Sequence, residues 1–133
     1  AFELDAVLHY QPTTWPGARL PHAWVFDASG KKHSTLDLCG HGRFALFTGI
    51  GGEAWVEAAR SLGAELGLTI DTRLIGPRRA LLDHTGDWAR AREVSDAGCV
   101  LVRPDHHVAW RADSLTDTPL ADLKRVLKSI LGR

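Results

Sequence analysis

Two cysteines, seven histidines and one glycine cluster are the places in this 133-residue chain where chemistry would have to start. The glycines stand in Gly49-Ile50-Gly51-Gly52-Glu53-Ala54, which satisfies G-x-G-x-x-G/A and has Asp71 about twenty residues further on. In a dinucleotide site such a turn offers backbone N–H groups to a pyrophosphate at a helix N-terminus, and the later acid holds a ribose hydroxyl. Three features oppose that use here. Glu53 and Glu57 put negative charge where the phosphate would bind. Asp71 falls inside a strand pattern that continues through Arg73, Leu74 and Ile75, and only one βαβ unit is present where a dinucleotide needs two.

The thiols and imidazoles carry less. Cys39 and Cys99 have no second cysteine near them, so neither a CxxC pair nor a zinc ribbon can be built, and each reads as a buried thiol. His9, His22, His33, His41 and His84 are scattered, while His106 and His107 are adjacent on a turn and point apart. Ser34, Asp37 and His41 have the residue types of a hydrolytic triad, yet their closeness in one stretch leaves no base oriented behind a nucleophile. No catalytic, cofactor-binding or metal-ligating residue is assigned.

The elements that hold these residues follow from periodicity. Phe2, Leu4, Ala6, Leu8 and Tyr10 alternate with polar residues, the pattern of a half-buried strand. "QPTTWPGARLPH" (residues 11–22) is a proline-rich connector. "AWVF" and "HSTLDL" flank Asp27-Ala28-Ser29-Gly30 and predict a hairpin. A buried strand over Phe44 to Thr48 precedes a helix from Glu53 to Leu66, which Gly67 ends. A strand over Leu68 to Ile75 is stopped by Gly76-Pro77, and a short helix spans Asp87 to Val94 with Asp87 as N-cap. Strands over Cys99 to Val102 and Val108 to Arg111 come next. Pro119 then opens a helix with Leu120, Leu123, Val126, Leu127 and Ile130 on one face.

From residue 43 the order is β-α-β-α-β-β-α, the thioredoxin-like arrangement of a central sheet between helices, here with an N-terminal strand and hairpin extension. The domain division is 1–22 for the strand and connector, and 23–133 for a thioredoxin-like domain without redox cysteines. The turn that would carry a nucleophilic thiolate has Gly and Thr instead, and Asp96-Ala97-Gly98 stands where thioredoxins have a cis-proline.

Composition sets the outer limits. Hydrophobic residues make up 44% of the chain, enough for one core. Sixteen basic and sixteen acidic side chains cancel, which argues against nucleic acid or an acidic membrane as partner. No apolar run approaches the roughly 20 residues of a membrane span, and a cytoplasmic location is expected.

Three stretches together, "PGARLPHAWV", "STLDLCGHGRFALFTGIGGEAW" and "DWARAREVSDAGCVLVRPDHHVAWRA", resemble the C-terminal segment of FAD-dependent aromatic-ring hydroxylases, the group that includes phenol and polyketide hydroxylases. The resemblance implies a non-catalytic structural or interaction domain of a FAD- and NADPH-dependent enzyme, with the flavin fingerprint and the substrate pocket held in other domains and no cofactor in this segment. Its partners would be the FAD-binding and substrate domains of the parent, and a homodimer is possible in such an enzyme. A free-standing thioredoxin-like binding or redox protein is the alternative, which the parent reading frame separates from the first. The residues expected at an interdomain contact are Trp15, Pro16, Arg19, Pro21, His22 and Trp24. A rigid proline backbone there lowers the entropy lost on docking, and tryptophans flank it.

Overall fold

A computed structural model describes residue 14 and residues 16–76, 81–84 and 86–132. The elements in chain order are β1 (Trp24–Asp27), β2 (Lys32–Ser34), a 3-10 turn (Thr35–Leu38), β3 (Phe44–Thr48), α1 (Glu53–Leu66) and β4 (Ile70–Leu74). After them come β5 (Leu81–Leu82), α2 (Asp87–Ala91), β6 (Cys99–Val102), β7 (Val108–Ala112) and α3 (Pro119–Leu131). The chain is thus mixed α/β, with two sheets and three α-helices among the described residues. The expected strand over residues 2–10 lies outside them.

β3 is the axis. All of its residues are buried, as a continuous apolar run requires when both faces of a strand are covered. It pairs in parallel with β4 and antiparallel with β6, and β6 pairs antiparallel with β7, giving the order β4-β3-β6-β7. One face of this sheet presents Leu46 and Leu101 to α1 and α3, where Trp55, Leu62, Leu123 and Leu127 close the core. The other presents Ala45, Phe47, Val100 and Val102 to Val25, Leu81 and Trp88. A second, three-stranded sheet in the order β2-β1-β5 supplies that cover.

Local chemistry fixes the ends. Gly67 takes φ 72°, and its N–H donates to the Gly63 carbonyl, ending α1 as a left-handed glycine does. The Asp27 carboxylate holds the β1–β2 turn by accepting from the N–H and hydroxyl of Ser29 and from the N–H of Lys31, with His33 2.8 Å away. His33 first, and Ser29 after it, hold this carboxyl well below the usual carboxylate range.

Several expected boundaries move. "HSTLDL" is a strand only as far as Ser34, because the Ser34 hydroxyl accepts the Leu36 N–H and winds Thr35–Leu38 into a 3-10 turn. The strand expected over Leu68 to Ile75 is Ile70–Leu74, and Ile75 instead bridges Leu81. Asp87 is not the N-cap of α2. Gly86 occupies that position at φ 75°, and the capping carboxylate is Asp83, which accepts from Trp88 N–H at 3.2 Å and Ala89 N–H at 2.9 Å. α2 stops at Ala91 rather than Val94, and Glu93, at φ 62°, turns the chain out of helix. On α3 only Leu123 and Leu127 are fully buried, while Leu120 and Ile130 lie at the exposed borders of the face. None of the helices described is long and apolar enough to cross a membrane.

Candidate interdomain face

The glycine turn between β3 and α1 is shaped by its neighbours. The Thr48 hydroxyl donates to the Gly98 carbonyl at 2.6 Å, and the Trp55 indole N–H donates to the Ala97 carbonyl at 2.9 Å. A side chain on Gly49 would begin 2.8 Å from the Asp96 carbonyl oxygen, and one on Gly52 would begin 1.9 Å from the Thr48 hydroxyl. Gly49 therefore answers the close approach of residues 96–98 across the turn, and Gly52 that of Thr48. Asp71, which the sequence reading placed inside a strand and so set aside as a ribose-binding acid, lies within β4 and takes a hydrogen bond from Arg43 at 3.1 Å.

Both thiols are buried and neither is in a disulfide. Burial pushes the Cys39 thiol up to about 11 and the Cys99 thiol up to about 12, so both stay protonated and poorly nucleophilic at neutral pH. Ser34 meets a different histidine from the one adjacent in the sequence reading. His22 Nδ1 lies 2.7 Å from its hydroxyl, while His41 Nε2 donates to the Asp37 carbonyl at 3.1 Å. The His106 ring lies over Gly40, and His107 is turned toward Asp105, so the adjacent pair does point apart. No group of three or more His, Cys, Asp or Glu side chains among the described residues could hold a metal ion.

What the structure does assemble is a surface. Along His22-Ala23-Trp24-Val25-Phe26 exposed or half-buried residues alternate with Ala23 and Val25, which are fully buried. Period-2 alternation sends the first set outward from the small sheet and the second into the core. Trp24 remains 37% exposed, with the Lys32 ammonium 4.4 Å from its ring centroid and the His22 ring set perpendicular to it, the two centroids 4.5 Å apart. Two residues on, Phe26 pairs with Leu82 of β5 and meets the His84 ring at 4.9 Å. A large aromatic held between a cation and an imidazole keeps its place with little freedom to lose, which is what an interface anchor needs.

The six residues expected at a contact divide. Pro16, Arg19, His22 and Trp24 are exposed. Pro21 is buried, and its carbonyl accepts the Thr35 hydroxyl at 2.8 Å, so it lies beneath the surface. Trp15 lies outside the described residues. The connector is also tied to its own fold: Gly17 N–H donates to Val108, Val108 N–H to Ala18 and Leu20 N–H to His106, and Arg19 and His107 form an antiparallel bridge. Upstream, Thr14 is clasped, its N–H donating to Glu93 and its hydroxyl to the Arg92 carbonyl, with Arg111 reaching both Thr14 and Glu93. The sequence reading missed Phe26, Lys32, Leu82 and His84. Alternation from His22 to Phe26 could have found Phe26, but nothing local marks the others.

A second feature adjoins this face. A cleft of about 420 Å³ opens beside β5 and α2, floored by Ile75 and Trp88 and flanked by Leu82, Ala89 and Arg92. The Arg92 side chain is only 17% exposed and is paired with Asp96, while its Nε atom is buried without a hydrogen-bond partner among the described residues.

Comparison with known proteins gives the class. Residues 13–133 match the family described as aromatic-ring hydroxylase, C-terminal, and the chain belongs to that family. It is 52% identical over 131 residues to 2,4-dichlorophenol 6-monooxygenase of Cupriavidus pinatubonensis, an alignment that takes 97% of this chain and 22% of that protein. It is 40% identical over 121 residues to tetracenomycin B2 monooxygenase-dioxygenase of Streptomyces olivaceus, covering 91% of this chain and 22% of the other. Among solved structures it superimposes with a TM-score of 0.85 and 46% identity on the flavin-dependent monooxygenase PieE in complex with FAD and substrate, covering 94% of this chain and 21% of that one. It likewise matches aklavinone-11 hydroxylase in its ternary complex with FAD and aklavinone at a TM-score of 0.81 and 37% identity, over 92% of this chain and 22% of that one. The chain thus spans about one fifth of the length of these relatives.

Proposed function

We propose that this chain is a non-catalytic, thioredoxin-like C-terminal domain of a cytoplasmic FAD- and NADPH-dependent aromatic hydroxylase acting on a phenolic or polyketide substrate. The observation that carries this reading is the pairing of a nearly end-to-end family match with coverage of only about one fifth of each relative. The thioredoxin-like assignment is supported by the order β4-β3-β6-β7, in which β6 alone runs against its companions, with α1 and α3 on one face. The absence of a role in chemistry is supported by the two protonated thiols and by glycines committed to packing.

In this reading residues 1–22 lead in from the parent, residues 23–133 form the domain, and the FAD-binding and substrate domains are its partners, in a monomer or a homodimer. The seat uses Pro16, Arg19, His22 and Trp24 at the surface and Pro21 as the rigid support below, with Trp15 proposed as a further contact residue. The test is to express the full reading frame and the 133-residue chain in parallel. The long protein is expected to carry FAD and to oxidise NADPH with a phenolic or polyketide substrate, and the short chain to do neither. Flavin that copurifies with the short chain, or a parent frame with no flavin-binding region, overturns the reading.

A further inference from the structure

The four-stranded sheet has one covered edge and one open edge. Along β7 the connector covers it: Gly17 N–H donates to Val108, Val108 N–H donates to Ala18, and Arg19 bridges His107. β4 is the other edge. It pairs with β3 on one side, and among the described residues no strand lies along its outer side from Ile70 to Leu74. Leu81 bridges Ile75 and takes the Gly76 N–H, so the open stretch ends where β4 ends. Every residue of β4 is half-buried and none is closed off. Such an edge is a template for another strand unless something guards it.

The phase of the hydrogen bonds identifies the groups on offer. Ile75 N–H donates to the Thr48 carbonyl of β3, and alternation turns the backbone groups of Asp71 and Arg73 the same way, so those of Ile70, Thr72 and Leu74 face outward. The side chains run Ile70-Asp71-Thr72-Arg73-Leu74: apolar, acid, threonine, base, apolar. Laid antiparallel on a second copy about a two-fold axis at Thr72, Ile70 meets Leu74 of the other copy on the helix side, and Asp71 meets Arg73 of the other copy on the opposite face. An axis at Asp71 or at Arg73 would oppose like charges. Both charged side chains are already held in place, since Arg73 Nε donates to the Leu38 carbonyl at 2.9 Å and Asp71 accepts from Arg43 at 3.1 Å. Little freedom is then lost when a partner arrives.

We infer that β4 is a self-recognition strand: a second copy of this chain adds antiparallel at this edge with Thr72 opposite Thr72, joining the two sheets through reciprocal Asp71–Arg73 pairs. This goes beyond the function proposed above and uses none of the residues of the seat.

The test uses the full-length protein in sedimentation equilibrium, with circular dichroism to check folding. Wild type is expected to dimerise. Asp71→Arg sets a cation against Arg73 of the other copy at both pairs, and is expected to raise the dimer Kd by about tenfold. Asp71→Arg/Arg73→Asp reverses both ends and is expected to restore the dimer, although it keeps neither the Arg43 contact nor the Leu38 contact. Charges that serve only their own fold predict the opposite, a double variant worse than the single. Thr72→Cys gives a reading independent of charge. Hydrogen-bonded antiparallel partners have Cα atoms about 5.5 Å apart, within disulfide reach, so oxidised glutathione should link two copies. Thr69→Cys, exposed just before β4, should not link. A monomeric wild type overturns the inference, as does a dimer that neither weakens in Asp71→Arg nor links through Thr72→Cys. A Thr72→Cys thiol shielded from maleimide in a monomer shows that another segment covers the edge and also overturns it. A full-length protein without flavin that still links through Thr72→Cys overturns the proposed function alone.

Discussion

The hydroxyl of Thr48 occupies the space in which a side chain on Gly52 would begin, with the two points 1.9 Å apart. Thr48 cannot yield easily, because that hydroxyl is also the donor to the Gly98 carbonyl, 2.6 Å away across the β3–β6 pairing. Gly52→Ala is therefore expected to destabilise the domain by about 1–3 kcal/mol, the usual range for overpacking a closed site. Urea unfolding checks this. A loss below a few tenths of a kcal/mol would show that the turn opens freely and that its glycines are not held by packing.

Asp83 caps a helix that begins four residues after it. Asp83→Ala should cost about 0.5–2 kcal/mol and loosen α2, whereas Asp83→Asn, which keeps an acceptor, should retain most of the stability. Asp87→Ala at the position the sequence favours should cost less, since Asp87 accepts from the exposed Arg90 and makes a long 3.4 Å contact with Trp24 N–H. Thermal melts of the three variants give the order, and a larger loss in Asp87→Ala would reverse the assignment.

The thiols set an alkaline limit. With Cys99 moved from 9.0 to about 12 by burial, the native state keeps a proton that the unfolded chain releases near 9. The stabilising contribution is whole below pH 9, and it is lost progressively as the pH rises toward about 12. Cys99→Val should flatten that decline while Ser95→Ala, at an exposed position, leaves it unchanged. The measurement is stability by urea at intervals from pH 8 to the alkaline midpoint. An identical slope in Cys99→Val would remove this thiol from the alkaline branch.

Arg19 and His22 present exposed side chains, and the backbone of the connector, not those side chains, makes its hydrogen bonds to residues 106–108. The double variant Arg19→Ala/His22→Ala should melt within about 0.5 kcal/mol of the parent domain, because Ser34 keeps its bond from Leu36 when His22 is lost. A drop of several kcal/mol would mean that these residues serve the domain's own stability and not a partner.

Legibility in the sequence followed locality. β3 and α1 appear at the residues expected, because an unbroken apolar run and a 3.6-residue stripe between glycines are signals contained within one element. β5 could not be read. It is two residues long, and its reason for being a strand is Phe26 and Asp27, more than fifty positions earlier. The cap of α2 failed similarly: Asp87 stands where a cap residue should, but Gly86 in the left-handed region turns the chain so that Asp83 arrives instead. For the candidate face, the connector and Trp24 were visible as composition. The continuation to Phe26, Leu82 and Arg92 exists only once the small sheet has closed.

The clasp at Thr14 has a mechanical consequence. A pull on the chain upstream of residue 14 meets Glu93 and Arg111 together, and Arg111 belongs to β7 of the central sheet. Behind them the bonds of Gly17, Ala18 and Leu20 to residues 106–108 lie next in line along the same sheet edge. A load applied at Thr14 is thus delivered through Arg111 to the edge of the central sheet.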